Sequence, residues 1–135
     1  MKNKITKETS RIFLSDDSII TLNNYITNGV NLLELIEELN IKTYSRPPAI
    51  SFSGDFGGYV YEIKNNITNK KYIGRTINPI RRLLEHSFSS SNDELKNDLV
   101  KYGLINFNMI CYKSDDYIKE EKEIIKRSTN LYNRK

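Results

Sequence analysis

A single cysteine, Cys111, leaves no partner for an intrachain disulfide in this 135-residue chain. That fits a reducing, cytoplasmic setting. A single histidine, His86, excludes a two-histidine metal site and a relay of histidines within one chain. No Cys/His cluster is present for a structural zinc. No apolar run approaches the roughly 18 residues that a bilayer span requires. The opening stretch MKNKITKETSR lacks the apolar segment of a secretory signal. Repeats and low-complexity tracts are absent as well. What remains is an ordinary globular composition, 38% hydrophobic and 28% charged, of a size for one small domain or one domain with an appendage.

Charge is unevenly spread. Residues 1–57 hold six Lys/Arg against seven Asp/Glu, whereas residues 58–135 hold 15 against 10. The second part therefore carries the positive balance, which suggests a polyanionic partner or simply a solvated surface.

That basic part begins with two short apolar-aromatic runs around a polar turn. Tyr59-Val60-Tyr61-Glu62-Ile63 alternates and is rich in β-branched and aromatic residues, so it reads as a strand. Lys71-Tyr72-Ile73-Gly74 reads as the returning strand, and residues 65–70 supply hairpin-turn chemistry. Tyr61 and Tyr72, one on each strand, can face the same side of a small sheet.

Upstream, Asp16-Asp17-Ser18 predicts a capped helix to about Ile26, and Asn28-Gly29 a turn. Asn31 predicts the cap of a second helix, Leu32 to Asn40, with Leu32, Leu35, Ile36 and Leu39 as its apolar stripe. Two helices around a glycine turn suggest a helix-turn-helix. The segment is slightly acidic, however, and Pro47-Pro48 stands where a recognition helix would follow. A helical extension over residues 1–57, covering a sheet edge or making a subunit contact, is the better reading.

Downstream, Asn78-Pro79 predicts a helix over Pro79–Phe88, with Ile80, Leu83, Leu84 and Phe88 toward a core. Arg82 and His86 share a stripe beside that face. Ser91 with Glu94 has capping-box spacing and opens a helix to about Tyr102, closed at Gly103. Phe107 to Tyr112 alternates as a third strand, and Asp115 or Asp116 starts a last helix to about Ser128. Tyr117, Glu121, Ile124 and Ile125 fall on one face of it. A carboxylate on an apolar stripe is costly unless paired or metal-bound, and Arg82 is a candidate partner. Glu120 and Glu123 point to solvent. The order strand–strand–helix–helix–strand–helix describes a compact α+β fold.

Taken together, these positions resemble the GIY-YIG nuclease family. Val60-Tyr61 stands where the family's first motif ends, and Tyr72-Ile73-Gly74 is its second motif intact. Arg82 and His86 match the arginine and histidine of the first helix, Glu121 the metal-binding glutamate of the last, and Asn133 the closing asparagine. One departure is that Tyr59 stands where the first motif has glycine, with Gly57 and Gly58 just before it. The resemblance spans roughly Gly58 to Asn133, within a domain expected over 58–135, and implies a small three-stranded antiparallel sheet flanked by helices. It also implies a divalent-metal-dependent DNA endonuclease, for which Mg²⁺ is the expected metal, with Mn²⁺ able to substitute.

On that resemblance, Glu121 is expected to ligate one Mg²⁺ and Arg82 to hold a non-bridging phosphate oxygen. Tyr61 is the expected general base, supported by Tyr72 and His86, with the sequence leaving open which of the two tyrosines is base and which is support; a phenol titrates at about 10 and needs cationic help. Asn133 is an orienting group. Lys70, Lys71, Arg75 and Arg81 are expected phosphate contacts at the rim. The alternative is a catalytically silent DNA-binding module on the same fold. A homodimer or an assembly on DNA would allow both strands to be cut.

Overall fold

The computed structural model describes residues 15–38 and 57–133. The expected apolar run at residues 12–14, Leu39, the Pro47-Pro48 stop and the side chain of Phe88 lie outside that description.

Ser15 caps the first helix, α1 (Asp16–Thr27), its hydroxyl accepting the Ser18 N–H. Strand β1 (Val30–Asn31) follows the Gly29 turn, and Asn31 Oδ1 then accepts the Leu33 and Glu34 N–H groups at the start of α2 (Leu32–Glu38). The hairpin consists of β2 (Tyr59–Asn65) and β3 (Lys71–Thr76). In its turn, the Asn65 side chain accepts from Ile67 and Thr68, and Asn69 takes the left-handed conformation with φ 64°. Helix α3 (Pro79–Ser89) is capped by Asn78, as its sequence predicts. Helix α4 (Asp93–Tyr102) is capped by Asn92 rather than Ser91, since the Asn92 side chain accepts the Leu95 N–H. A single 3₁₀ turn (Leu104–Asn106) leads into β4 (Phe107–Lys113), and α5 (Tyr117–Arg127) closes the order. Among the described residues, no helix is long and apolar enough to cross a membrane.

The sheet has four strands in the order β1-β4-β2-β3, all antiparallel, where the family resemblance implies three. The additional strand is only two residues long, Val30 facing Met109 and Asn31 facing Asn108. Two residues carry no readable alternation, so nothing in the sequence announces it.

Strand alternation separates two faces. Tyr59, Tyr61 and Ile63 of β2 share one face with Phe107, Met109 and Cys111 of β4, and this face packs into one core with apolar residues of α1, α2, α3 and α4. The described part of the helical extension thus shares its core and sheet with the rest of the chain. Val60 and Ile73 are buried on the opposite face, where α5 packs against β2 and β3. Helix α5 has no fully buried residue; Tyr117, Ile124 and Ile125 are half-buried. Glu120 is half-buried too, accepting a bond from the Ser114 hydroxyl, which corrects its assignment to bulk solvent.

Strand β3 is the sheet's edge, and the chain returns to cover it. Leu131 bridges Lys71 in parallel, with backbone bonds from Lys71 N–H to Asn130 O and from Tyr132 N–H to Lys71 O. One step further, the Asn133 side chain takes over: Oδ1 accepts the Ile73 N–H at 2.8 Å and Nδ2 donates to the Ile73 carbonyl at 2.7 Å. An amide side chain thus does the work of a neighbouring strand's peptide group.

Candidate active site

Tyr61 pairs with Gly74 across the hairpin, and Ile63 with Tyr72. Tyr61 and Tyr72 are therefore diagonal neighbours on one face, with ring centroids 6.1 Å apart. Gly74 explains why the phenol can lie there. A Cβ at this position would fall inside the van der Waals envelope of Tyr61 Cζ and Oη. The glycine of Tyr72-Ile73-Gly74 is thus the space in which the Tyr61 ring rests. Gly58 plays a similar part at the other end of β2, where a Cβ would meet the Tyr117 ring.

The Tyr61 hydroxyl joins two residues one turn apart on α3. Arg82 Nε donates to Oη at 3.2 Å, and His86 Nε2 lies 2.7 Å from it. His86 Nδ1 is 2.8 Å from Ser90 Oγ. Burial, reinforced by the Arg82 charge, lowers the His86 pKa from 6.5 to about 3, so the imidazole is neutral near pH 7. In the Nδ1–H tautomer of His86, Oη accepts from Arg82 and donates to Nε2, while Nδ1–H donates to Ser90 Oγ. Tyr72 packs on the same imidazole, with ring centroids 5.0 Å apart.

Tyr61 is 1% exposed and His86 2%. Burial is the main force raising the phenol's pKa, with Tyr72 and Glu121 adding to it and Arg82 opposing. For Arg82, burial disfavours the charge, but the Tyr61 oxygen and the Glu85 carboxylate outweigh it and hold the pKa above its usual value. Arg82 Nη1 bonds Glu85 Oε1 at 2.8 Å.

Glu121 approaches from the other face. Its side chain is 14% exposed, and Oε1 accepts from Arg75 Nη1 at 2.8 Å. The partner is therefore Arg75, not the Arg82 that the sequence suggested. Arg75 follows Gly74 on β3, so alternation aims it at α5 while Arg82 stays with Tyr61 on the opposite face. Glu121 Oε2 takes no hydrogen bond among the described residues. No group of three or more His, Cys, Asp or Glu gathers among those residues. The donor chemistry nevertheless fits Mg²⁺, which binds through one or two carboxylates and keeps water and phosphate oxygens for its other positions.

The remaining expected contacts are each paired. Lys70 meets Glu94, Lys71 lies 3.6 Å from Glu62, and Arg81 lies 3.4 Å from Glu85. Asn133 has both amide atoms on the Ile73 backbone, so it acts on β3 rather than toward open space. The sequence reading missed three contributors. Ser90 lies four residues after His86, a spacing that could have revealed it. Glu85 has the i+3 spacing from Arg82. The third is Tyr132, whose hydroxyl accepts from buried Asn65 and donates to Asp98 Oδ2, anchoring the tail that carries Asn133.

A family model for the GIY-YIG catalytic domain matches residues 57–133, more than half of the chain. No curated protein and no solved structure matches it.

Proposed function

Because the chain belongs to the GIY-YIG family and carries its nuclease domain, we propose that it is a divalent-metal-dependent endonuclease that hydrolyses phosphodiester bonds in DNA. The supporting observation is the bonded unit of Tyr61, Arg82 and His86, packed on Tyr72 and within electrostatic reach of Glu121.

Tyr61 serves as the general base. It takes a proton from the attacking water while its own proton passes to His86 Nε2, a transfer that the negative charge of the bound phosphate has to favour, because burial and Arg82 keep the imidazole neutral in the free site. Burial opposes charge on both the phenol and the imidazole. Arg82, charged and bonded to Oη, is the group that favours the phenolate. Tyr72 holds both rings in place, and Asn133 holds β3 beneath them. A divalent cation held by Glu121, Mg²⁺ or Mn²⁺, would supply charge to polarise the phosphate and stabilise the departing 3′ oxygen. Lys70, Lys71, Arg75 and Arg81 contact phosphates by exchanging their carboxylate partners for DNA.

A composition rich in Asn, Lys and Ile is that of an AT-rich genome, a setting in which a phage or mobile-element nuclease is the type proposed. One site cuts one strand, so linearising a circle requires a dimer or two successive nicks.

The test is supercoiled plasmid with Mg²⁺ or EDTA, beside Glu121→Gln. Nicking that needs metal and is lost in Glu121→Gln, while DNA binding survives, is the expected result. Tight binding without cleavage, with Mn²⁺ as well, would replace the enzyme by a silent DNA-binding module.

A further inference from the structure

The Arg75–Glu121 ion pair is lopsided. The carboxylate is largely desolvated at 14% exposure, whereas the guanidinium side chain is 41% exposed. They share one hydrogen bond, Nη1 to Oε1. Among the described residues, no other guanidinium nitrogen of Arg75 is bonded, and Oε2 of Glu121 accepts nothing. Glu121 needs a cation because it is half-buried; Arg75 has no matching need for a carboxylate. A half-exposed pair of this kind adds little to stability and is readily exchanged.

We infer that Arg75 is the exchangeable counter-ion of Glu121. It holds the carboxylate until a divalent cation binds there, and the released guanidinium then takes a phosphate of the DNA backbone. The inference rests on the reading of Glu121 as a metal ligand and DNA as the substrate. A guanidinium and a divalent cation repel within a few ångströms of each other, so a single desolvated carboxylate does not keep both. Phosphate offers the freed guanidinium a planar two-point partner that the single contact with Glu121 does not. Arg75 lies on the opposite face of β3 from Tyr61, but its partner Glu121 is within electrostatic reach of the Tyr61 hydroxyl, so the exchange takes place close to the reacting groups. Cation binding and DNA binding are then positively coupled through one side chain, and linkage makes the coupling reciprocal.

Two binding measurements, neither requiring cleavage, test this. In the first, Mn²⁺ is titrated calorimetrically into the DNA-free protein. Arg75→Gln binds about two- to fivefold more tightly than wild type, the range such an ion pair supports. Arg75→Lys, which keeps the charge, returns the affinity toward wild type. In the second, a short labelled duplex is titrated in EDTA. Glu121→Gln frees Arg75 and binds the duplex more tightly than wild type, and the gain disappears when Arg75→Gln is added. Coincident thermal melts establish that each variant is folded. Unchanged or weaker Mn²⁺ binding by Arg75→Gln overturns the exchange, as does a DNA gain from Glu121→Gln that persists without Arg75. If wild type shows no Mn²⁺ binding that depends on Glu121, the metal-ligand reading itself falls and takes this inference with it.

Discussion

On one face of the sheet, the buried Tyr61 hydroxyl is held by Arg82 and His86. On the other face, the Glu121 carboxylate is held by one bond from a half-exposed arginine, and its second oxygen takes no bond among the described residues. The first arrangement is fixed before any substrate arrives. The second is an ion pair that another cation can take apart. On the proposed reading, the contrast separates two tasks of phosphodiester hydrolysis: proton transfer needs fixed geometry, whereas charge neutralisation needs a group that changes partners.

The largest effect tests the fixed side. Tyr61→Phe should slow single-turnover nicking by about 10²- to 10⁴-fold, the span of general acid–base contributions, with DNA affinity nearly unchanged. A loss of only a few-fold would mean that the phenol is packing and not chemistry.

Gly74→Ala comes next. The added methyl group has no room against the Tyr61 ring, so a urea titration should show a loss of about 1–3 kcal/mol, with nicking reduced alongside. Unchanged stability would show that the phenol can move aside, and the contrast between rigid and exchangeable faces would weaken.

His86 gives the pH prediction. Its folded pKa of about 3 lies below its ordinary 6.5, so between those values the unfolded chain binds a proton that the folded chain does not. Stability therefore falls as pH drops through this window, by up to about 1.4 kcal/mol per pH unit from this group. His86→Gln should remove that part of the slope. Urea midpoints at pH 7 and pH 5 for both proteins would show it; parallel slopes would mean that His86 does not resist protonation.

The smallest effect belongs to the rim. The Lys71–Glu62 pair is solvent-screened at 3.6 Å, so Lys71→Gln should change stability by less than about 1 kcal/mol. If Lys71 contacts a phosphate, the slope of log DNA affinity against log salt should fall by about one. An unchanged slope would remove it from the interface.

Local signals carried much of the architecture. Alternation around Tyr61 and Tyr72, Asn78 before Pro79, and the apolar stripes of α1 to α4 each specify an element without help from distant residues. The grouping of Tyr61, Tyr72, Arg82 and His86 followed from the family's motifs, and the structure brings them together. What stayed hidden depends on contacts across the sequence. Val30-Asn31 becomes a strand only because β4 lies beside it. The partner of Glu121 is decided by which face of β3 each residue occupies, and spacing along α5 holds no information about that. The backbone partner of Asn133 was illegible for the same reason, since its two bonds reach a peptide 60 residues away.

That last span has a consequence for the order of synthesis. Tyr61, Tyr72, Arg82 and His86 all leave the ribosome before Glu121, and before residues 130–133 that cover β3. Until those residues emerge, the outer edge of β3 from Lys71 to Ile73 lacks its native partners and can pair with other strands. A nascent chain therefore holds Tyr61, Tyr72, Arg82 and His86 together without Glu121 and beside an open edge. The site is assembled only once Glu121 and residues 130–133 are in place, and those last four residues also end the edge's exposure to its neighbours.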